Sequence, residues 1–217
     1  MSYKMQSNAA IQGIIFDLDG TLIDSRADIA AALNHSRVLH QYEPLSLEVV
    51  LPMVGHGLLN LVERGFADTK ENPRERLKEV LAYYHQHLVD CTIIYPGVRE
   101  LLPKLSRYKK AVVSNKSAEL VLPILKQLGL ASCFDIVIGG EDFPERKPHP
   151  RAAFHILEQW KLAPHEVLMV GDMAPDAEFA QAAGLPFAHC KYGYDPNPLQ
   201  SNWSMNSFAD LESLLSL

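Results

Sequence analysis

Ile11-Gln12-Gly13-Ile14-Ile15-Phe16-Asp17-Leu18-Asp19-Gly20-Thr21-Leu22-Ile23-Asp24 decides how this chain is read. The isoleucine-rich start predicts a buried strand. The run stops on Asp17, and Asp19 follows two places on. Gly20 lets the backbone turn sharply. Paired carboxylates at the end of a buried strand are costly to desolvate, and they call for a counter-charge such as a metal ion. Ligands sit at the carboxyl ends of strands in open α/β sheets. A plain turn accounts for the same residues, because Asp favours such positions. The rest of the chain has to separate the two readings.

Outward from that stretch, two patterns alternate. From Ser25 to about Asp90 only helical spacing is found. Ser25 is a candidate cap for a helix with Ile29, Ala32, Leu33 and Leu39 on its apolar side. Leu47 to Phe66 predicts helix in two pieces, broken at Pro52 and at Gly55-His56-Gly57. Asn72-Pro73 starts another helix carrying Leu77, Val80, Leu81, Tyr84 and Leu88. From Tyr95 onward, strands and helices alternate. Strands are expected at Lys110–Ser114, Phe134–Ile138, Val167–Val170 and Pro186–Cys190. Helices are expected from Val98 to Leu105, after Ser117 to Gly129 with Pro123 bending or shortening it, from Pro150 to Trp160 with Ala153, Phe154, Leu157 and Trp160 inward, from Pro175 to Ala183, and from Phe208 to Leu215. Leu199 to Ser207 reads as irregular. The alternation predicts a Rossmann-like α/β core, a parallel sheet with helices on both faces. The all-helical block is then a cap inserted after the first strand, standing over the carboxyl end of the sheet. The expected division is core 1–24 and 92–217, cap 25–91.

The strand ends carry chemistry. Ser114-Asn115 follows one strand, Lys147 lies in the loop Glu145-Arg146-Lys147-Pro148-His149-Pro150 after another, and Gly171-Asp172 ends a third with Asp176 one helical turn on. On one sheet edge these make three or four carboxylates, a hydroxyl and a lysine. Clustered carboxylates repel unless a divalent cation sits among them, and Mg²⁺ favours such oxygen donors. A carboxylate can attack phosphorus, while Lys147 and Ser114 hold the equatorial oxygens as charge builds. The set suits phosphoryl transfer.

Composition excludes other classes. The 217 residues are 47% hydrophobic, enough for a sizeable core, and the net charge of −6 comes without a basic run. A nucleic-acid partner is not expected. No apolar run reaches the roughly 18 residues of a membrane span, and Met1 to Ala10 lacks the pattern of a signal peptide. Cys91, Cys133 and Cys190 are distant from one another and odd in number, which fits a reducing cytoplasm with all three as buried or partly buried small residues.

Asp17-Leu18-Asp19-Gly20-Thr21, Ser114-Asn115, Lys147-Pro148-His149-Pro150 and Gly171-Asp172-x-x-x-Asp176 resemble the four ordered motifs of the haloacid dehalogenase-like phosphatase superfamily, over nearly the whole chain. Within it the chain is most similar to the phosphoglycolate phosphatase family, through Leu22-Ile23-Asp24-Ser25, Val54-Gly55-His56-Gly57, Leu61-Val62-Glu63-Arg64, Ile138-Gly139-Gly140 and Lys191-Tyr192-Gly193-Tyr194. The resemblance implies a Mg²⁺-dependent phosphatase of a small phosphorylated metabolite, 2-phosphoglycolate or another sugar or amino-sugar phosphate, as monomer or homodimer. It makes Asp17 nucleophile and metal ligand. Asp19 is the acid and base, and its backbone carbonyl a metal ligand. Asp172 completes the metal site and Asp176 orients the loop or Lys147. Gly20, Thr21, Ser114, Asn115 and Lys147 bind phosphate, and Gly55, His56 and Gly57 contact substrate from a mobile cap hinged near Asp24-Ser25 and Cys91–Tyr95.

One position departs. Relatives often carry Ser or Thr after the metal Asp, and here Met173 stands there. Dehalogenases lack an acid at the position of Asp19, because halide leaves without a proton, so Asp19 argues for ester chemistry. A phosphomutase would use the same scaffold. A phospho-accepting signalling domain would have its Asp mid-chain and no insert. Arg64 reads as a surface residue, His149 as a loop residue, and Arg146 as either a local cation or a solvated side chain. His85 and His87, two apart on a helix, cannot share a metal. Tyr83 and Tyr84 fit packing, one inward and one at the rim.

Overall fold

The computed structural model describes residues 11–195, 197 and 199–216. Met1 to Ala10, read above for a leader, lie outside the described residues. In chain order the elements are β1 (Gly13–Phe16), β2 (Ile23–Asp24), α1 (Arg26–Leu39), α2 (Leu47–Val50), α3 (Leu58–Gly65), α4 (Pro73–Gln86), β3 (Ile93–Ile94), α5 (Val98–Leu101), β4 (Lys109–Val113), α6 (Ala118–Gln127), β5 (Ile136–Ile138), α7 (Arg151–Trp160), β6 (Val167–Gly171), α8 (Ala174–Ala183), β7 (Phe187–Cys190), β8 (Trp203–Met205) and α9 (Asp210–Leu214).

Six strands form one parallel sheet in the order β5-β4-β1-β6-β7-β8. Strand residues alternate between faces, and the core divides accordingly. Ile14, Phe16, Val112, Leu168 and Val170 pack on one face with α5, α6 and α9, in a cluster that continues into α1, α3 and α4. Ile15, Ala111, Val113, Val167 and Met169 pack on the other face with α7 and α8. Because β1, β4 and β6 are covered on both faces, they read as near-continuous apolar runs.

The helices α1 to α4 lie between β2 and β3. These two-residue strands pair antiparallel, Ile23 with Ile94 and Asp24 with Ile93. They bind the two connections to the helical block side by side. A second tie is Asp28, in the first turn of α1. Its buried carboxylate accepts from the Cys91 and Thr92 backbone N–H groups, at 2.9 and 2.8 Å, and from Thr92 Oγ1 at 2.6 Å. Asn72 caps α4 through a 3.0 Å bond from the Arg74 N–H. Within the block, Arg37 is buried and holds both Asp68 oxygens and the Glu43 carbonyl.

Several sequence expectations are corrected. Ser25 stands before α1, but its hydroxyl does not cap the helix and bonds Asp19 instead. Phe154 is 49% exposed; the inward positions of α7 are Ala152, Ala153, Ile156, Leu157 and Trp160. Cys91 is exposed. Residues 203–205, inside the stretch read as irregular, form the edge strand β8. The helix α6 runs through Pro123 to Gln127, so the proline does not shorten it.

Candidate active site

The site begins where β1 ends. The Asp17 N–H donates to the Val170 carbonyl at 2.9 Å, the last bond of the strand, and Leu18 is fully buried. The Leu18 carbonyl accepts from Leu22 and Ile23, closing a tight loop. Asp17 and Asp19 flank that buried leucine and line the same cavity. Gly20 has φ +89°, and a Cβ there would run into the Asp172 carboxylate. A left-handed backbone and a close approach both require glycine at this position.

Lys147, on the loop after β5, is buried between two carboxylates. Its Nζ is 2.7 Å from Asp17 Oδ1 and 2.7 Å from Asp176 Oδ1. Asp172, just past the end of β6, is fully buried; it accepts from the Tyr194 N–H at 2.7 Å and from Thr21 Oγ1 at 3.2 Å. Asp176 Oδ2 accepts from the Asp172 and Met173 N–H groups at the start of α8, both at 3.1 Å. The carboxylates of Asp17, Asp172 and Asp176 bring ligand oxygens within 4.8 Å of one another.

Electrostatics follow from that crowding. Burial first, and then the Asp176 charge, push the Asp17 carboxyl up to about 7 despite Lys147. Burial, Asp176 and Asp17 push Asp172 well above the ordinary carboxylate range. Burial works against the Lys147 charge, but Asp17 and Asp176 outweigh it and raise its pKa. Three buried carboxylates face one buried ammonium. An all-oxygen donor set with unbalanced negative charge fits a hard divalent cation, and Mg²⁺ is bound by such groups.

Asp19 lies outside that trio. Its Oδ1 accepts from Ser25 Oγ at 2.5 Å, and its Oδ2 pairs with Lys116 Nζ at 3.0 Å. Ser114 is buried beside Asp17 in the cavity wall, and its Oγ accepts from the Lys116 N–H at 3.1 Å. Asn115 spends its amide nitrogen on the carbonyls of Gly55 and Lys147, at 3.1 and 3.0 Å. It pins the helical block to the lysine loop. Gly55 and Gly57 line the cavity with backbone, whereas the His56 side chain is exposed and outside it. With positive φ at both neighbours, the loop places its glycine backbone in the cavity wall and leaves His56 exposed. A Cβ on Gly55 would meet Met173 Sδ, so the departing Met173 is covered by the insert.

The cavity measures about 50 Å³ and is closed on the insert side by Ile29, Val54, Leu58, Leu61 and Tyr84. Of the other residues weighed above, Arg64 is exposed, His85 pairs with Glu119 at 2.9 Å and His87 with Asp90 at 2.7 Å. Arg146 pairs with Glu141 at 2.5 Å. Sequence reasoning misses Lys116, which directly follows the Ser114-Asn115 motif and reads as an ordinary surface lysine. The signal available is its position one residue past that motif, at the mouth of the strand.

Buried carboxylates and a buried lysine gathered at the ends of adjacent parallel strands set the class. The family model for haloacid dehalogenase-like hydrolases matches residues 14–190, and the chain belongs to that family. Its similarity extends to named members. It is 36% identical to the phosphoglycolate phosphatase of Chromobacterium violaceum, over 94% of this chain and 96% of that protein. It is 32% identical to the phosphoglycolate phosphatase of Mannheimia succiniciproducens, over 94% and 98%. A crystal structure described as a predicted phosphoglycolate phosphatase, from Haemophilus somnus 129PT, superposes with TM-score 0.89 at 30% identity, covering 94% of this chain and 97% of that one. A haloacid dehalogenase superfamily hydrolase of Geobacter sulfurreducens gives TM-score 0.79 at 26% identity, over 97% and 99%. Among the described residues no helix is long and apolar enough to cross a membrane.

Proposed function

We propose that the chain is a Mg²⁺-dependent phosphatase that hydrolyses a small phosphate monoester through an aspartyl-phosphate, with 2-phosphoglycolate as its substrate. The observation that carries this reading is the Asp17 carboxylate at the end of β1, held by Lys147 at 2.7 Å and facing the same cavity as Asp19. Asp17, Asp172 and the Asp19 backbone carbonyl would hold the ion, with Asp176 beside them. When bound, Mg²⁺ offsets the carboxylate charge and that of the phosphoryl oxygens.

The side chains divide the work. An Asp17 oxygen bonds to phosphorus as the ester P–O bond breaks. Asp19 gives a proton to the departing alkoxide, then takes one from the water that attacks the phosphorus. That attack breaks the bond to Asp17 and releases inorganic phosphate. Lys147 and Ser114 stabilise the equatorial oxygens. Gly20 and Thr21 hold the loop around the phosphate through Asp172. In this reading residues 25–91 act as a cap that excludes water. The names of the relatives support 2-phosphoglycolate as the substrate.

The test is phosphate release from 2-phosphoglycolate, hexose phosphates, amino-sugar phosphates, nucleotides and pyrophosphate, with and without Mg²⁺ and with Asp17→Asn as control. Metal-dependent release that prefers 2-phosphoglycolate and is absent in the variant is expected. Preference for a hexose phosphate would overturn the substrate and keep the chemistry. A phosphorylated Asp17 that persists, with no release, would point to a mutase or a phospho-accepting domain.

A further inference from the structure

The phosphate end of the cavity is accounted for by Asp17, Lys147 and Ser114, but one cation is left over. Lys116 is buried, with its side chain 5% exposed, and it lines the cavity. Its Nζ pairs with Asp19 Oδ2 at 3.0 Å and lies 4.8 Å from the centre of the Tyr84 ring. Among the described residues that line the cavity, Lys116 and Lys147 carry the only positive side chains. Lys147 is engaged by two carboxylates, whereas Lys116 is engaged by one. Tyr84 is 1% exposed, and its buried hydroxyl lies against the Lys116 ammonium, which can only donate, so the Tyr84 O–H has no acceptor. A buried O–H without an acceptor is costly. It is an idle donor in the wall of a cavity whose remaining insert-side lining is mostly apolar.

We propose that Lys116 and Tyr84 form a receptor for a carboxylate on the leaving group, so that the enzyme selects short phosphate esters of hydroxy acids. The inference deepens the phosphatase reading and rests on it. Distance supports it. The bridging oxygen of the substrate has to reach Asp19, and Lys116 is in direct contact with Asp19. In a 2-carbon phospho-acid a single methylene separates the bridging oxygen from the carboxylate. The carboxylate thus falls where Lys116 can exchange Asp19 for it, and the Tyr84 O–H gains an acceptor. The exchange releases Asp19 Oδ2 to face the bridging oxygen. One donor comes from the core loop after β4 and the other from α4, so the receptor is complete only with the helical block seated on the core. A neutral ester leaves Lys116 on Asp19 and gives the Tyr84 O–H no acceptor, so the site gains nothing from it that it gains from the acid.

Two measurements test it. The first is kcat/KM for 2-phosphoglycolate against 2-hydroxyethyl phosphate, its neutral counterpart, in wild type, Lys116→Met, Lys116→Arg and Tyr84→Phe. The acid-to-neutral ratio is expected to fall about 30- to 100-fold in Lys116→Met, as for loss of a hydrogen bond to a charged group, and about 5-fold in Tyr84→Phe. Lys116→Arg should retain most of the preference. A ratio unchanged in Lys116→Met would overturn the proposal and leave Lys116 as a partner of Asp19 only. The second measurement is calorimetric binding of 3-phosphonopropionate against propylphosphonate, neither of which can be hydrolysed. Wild type should bind the acid at least about 30-fold more tightly, with the gap closing in Lys116→Met. Equal affinities in wild type would overturn the receptor even if no ester is turned over. Turnover of the neutral ester without preference would overturn the receptor and keep the phosphatase. Tight, Lys116-dependent binding without turnover would keep the receptor and remove the phosphatase.

Discussion

Removing Lys147 is the sharpest probe of the charge cluster. Its ammonium is 2.7 Å from both Asp17 and Asp176, and its side chain is 3% exposed. Lys147→Met keeps the length and removes the charge, leaving two buried carboxylates facing each other. Breaking a buried ion pair from one side costs about 3–5 kcal/mol. With a urea slope of roughly 2–3 kcal/mol per molar for a chain of this size, the midpoint should drop by about 1–2.5 M in EDTA at pH 8. The loss should shrink at pH 5. Asp17, pushed up to about 7 by burial and Asp176, is then protonated, and less charge is left uncompensated. Asp176→Asn removes the second carboxylate while keeping an acceptor for the start of α8. The double variant Lys147→Met with Asp176→Asn should therefore recover about 1–3 kcal/mol relative to the sum of the single changes. Activity should stay lost in both variants carrying Lys147→Met, because recovered stability does not return the cation proposed to hold the phosphoryl oxygens. Urea unfolding followed by circular dichroism reads the first part, and phosphate release the second. A Lys147→Met penalty below about 1 kcal/mol at both pH values, or strict additivity, would refute the idea that Lys147 neutralises this pair.

Three further outcomes follow from the same structure. The Asp17 carboxyl binds its proton more tightly in the folded state than in the unfolded chain, so the stability it contributes is full below about pH 4 and is lost by a few kcal/mol as pH rises towards 7. Mg²⁺ should offset that loss, and the gap in Tm between MgCl₂ and EDTA should widen from pH 5 to pH 8; a constant gap would contradict it. Asp28→Ala strands two N–H groups and a hydroxyl at the paired connections, and should cost about 3–5 kcal/mol, with Asp28→Asn losing less than half of that in the same urea assay; equal losses would show that shape, not acceptor strength, matters. Gly20→Ala forces a left-handed φ on alanine and drives its Cβ into Asp172, so it should lower stability by about 1–3 kcal/mol and phosphate release by more than about 100-fold; a variant with ordinary activity would mean the loop can move away from Asp172.

The strands that carry the site are legible in the sequence because they are buried on both faces and end in charge. In Val167-Leu168-Met169-Val170 followed by Gly171-Asp172, the apolar run is too short for a buried helix, and the glycine and carboxylate end it abruptly. What is not legible depends on partners distant in sequence. Asp28 looks like a helix first-turn acid, and only the return of residues 91–92 to it makes it a tie. The pairing of β2 with β3 spans two residues on each side, too short for any periodicity. The strand β8 has two exposed residues of three and joins the sheet only through β7. Phe154 reads as inward because positions 153, 154, 157 and 160 satisfy helical spacing as well as 152, 153, 156, 157 and 160; the choice between them is made by the sheet that α7 packs on. Lys116 needs the structure for the same reason, since its partners Asp19 and Tyr84 come from the loop after β1 and from α4.

The position of the site follows from the order of the strands. From β1 the sheet grows to one side through β4 and β5 and to the other through β6, β7 and β8. The helix between β4 and β5 packs on one face, and those between β5 and β7 on the other. Connections that leave a central strand toward opposite faces open a crevice at its carboxyl end, and ligands bind in such crevices. Asp17 stands at that point, flanked by Ser114 beyond β4 and Asp172 beyond β6. The helical block enters directly after β1, so it has to rise over the crevice. In the proposed reading the chemistry rests on three strand ends, while the wall facing them is shared between α1, α3, α4 and the loop after β4. A change of substrate can then be made at Lys116 and Tyr84 without moving Asp17, Lys147 or Asp172. Exchanging Lys116 and Tyr84 for apolar residues should turn the preference toward neutral esters, and because Lys116 also pairs with Asp19 the rate on both esters should fall with it; kcat/KM for 2-phosphoglycolate against 2-hydroxyethyl phosphate reads both effects.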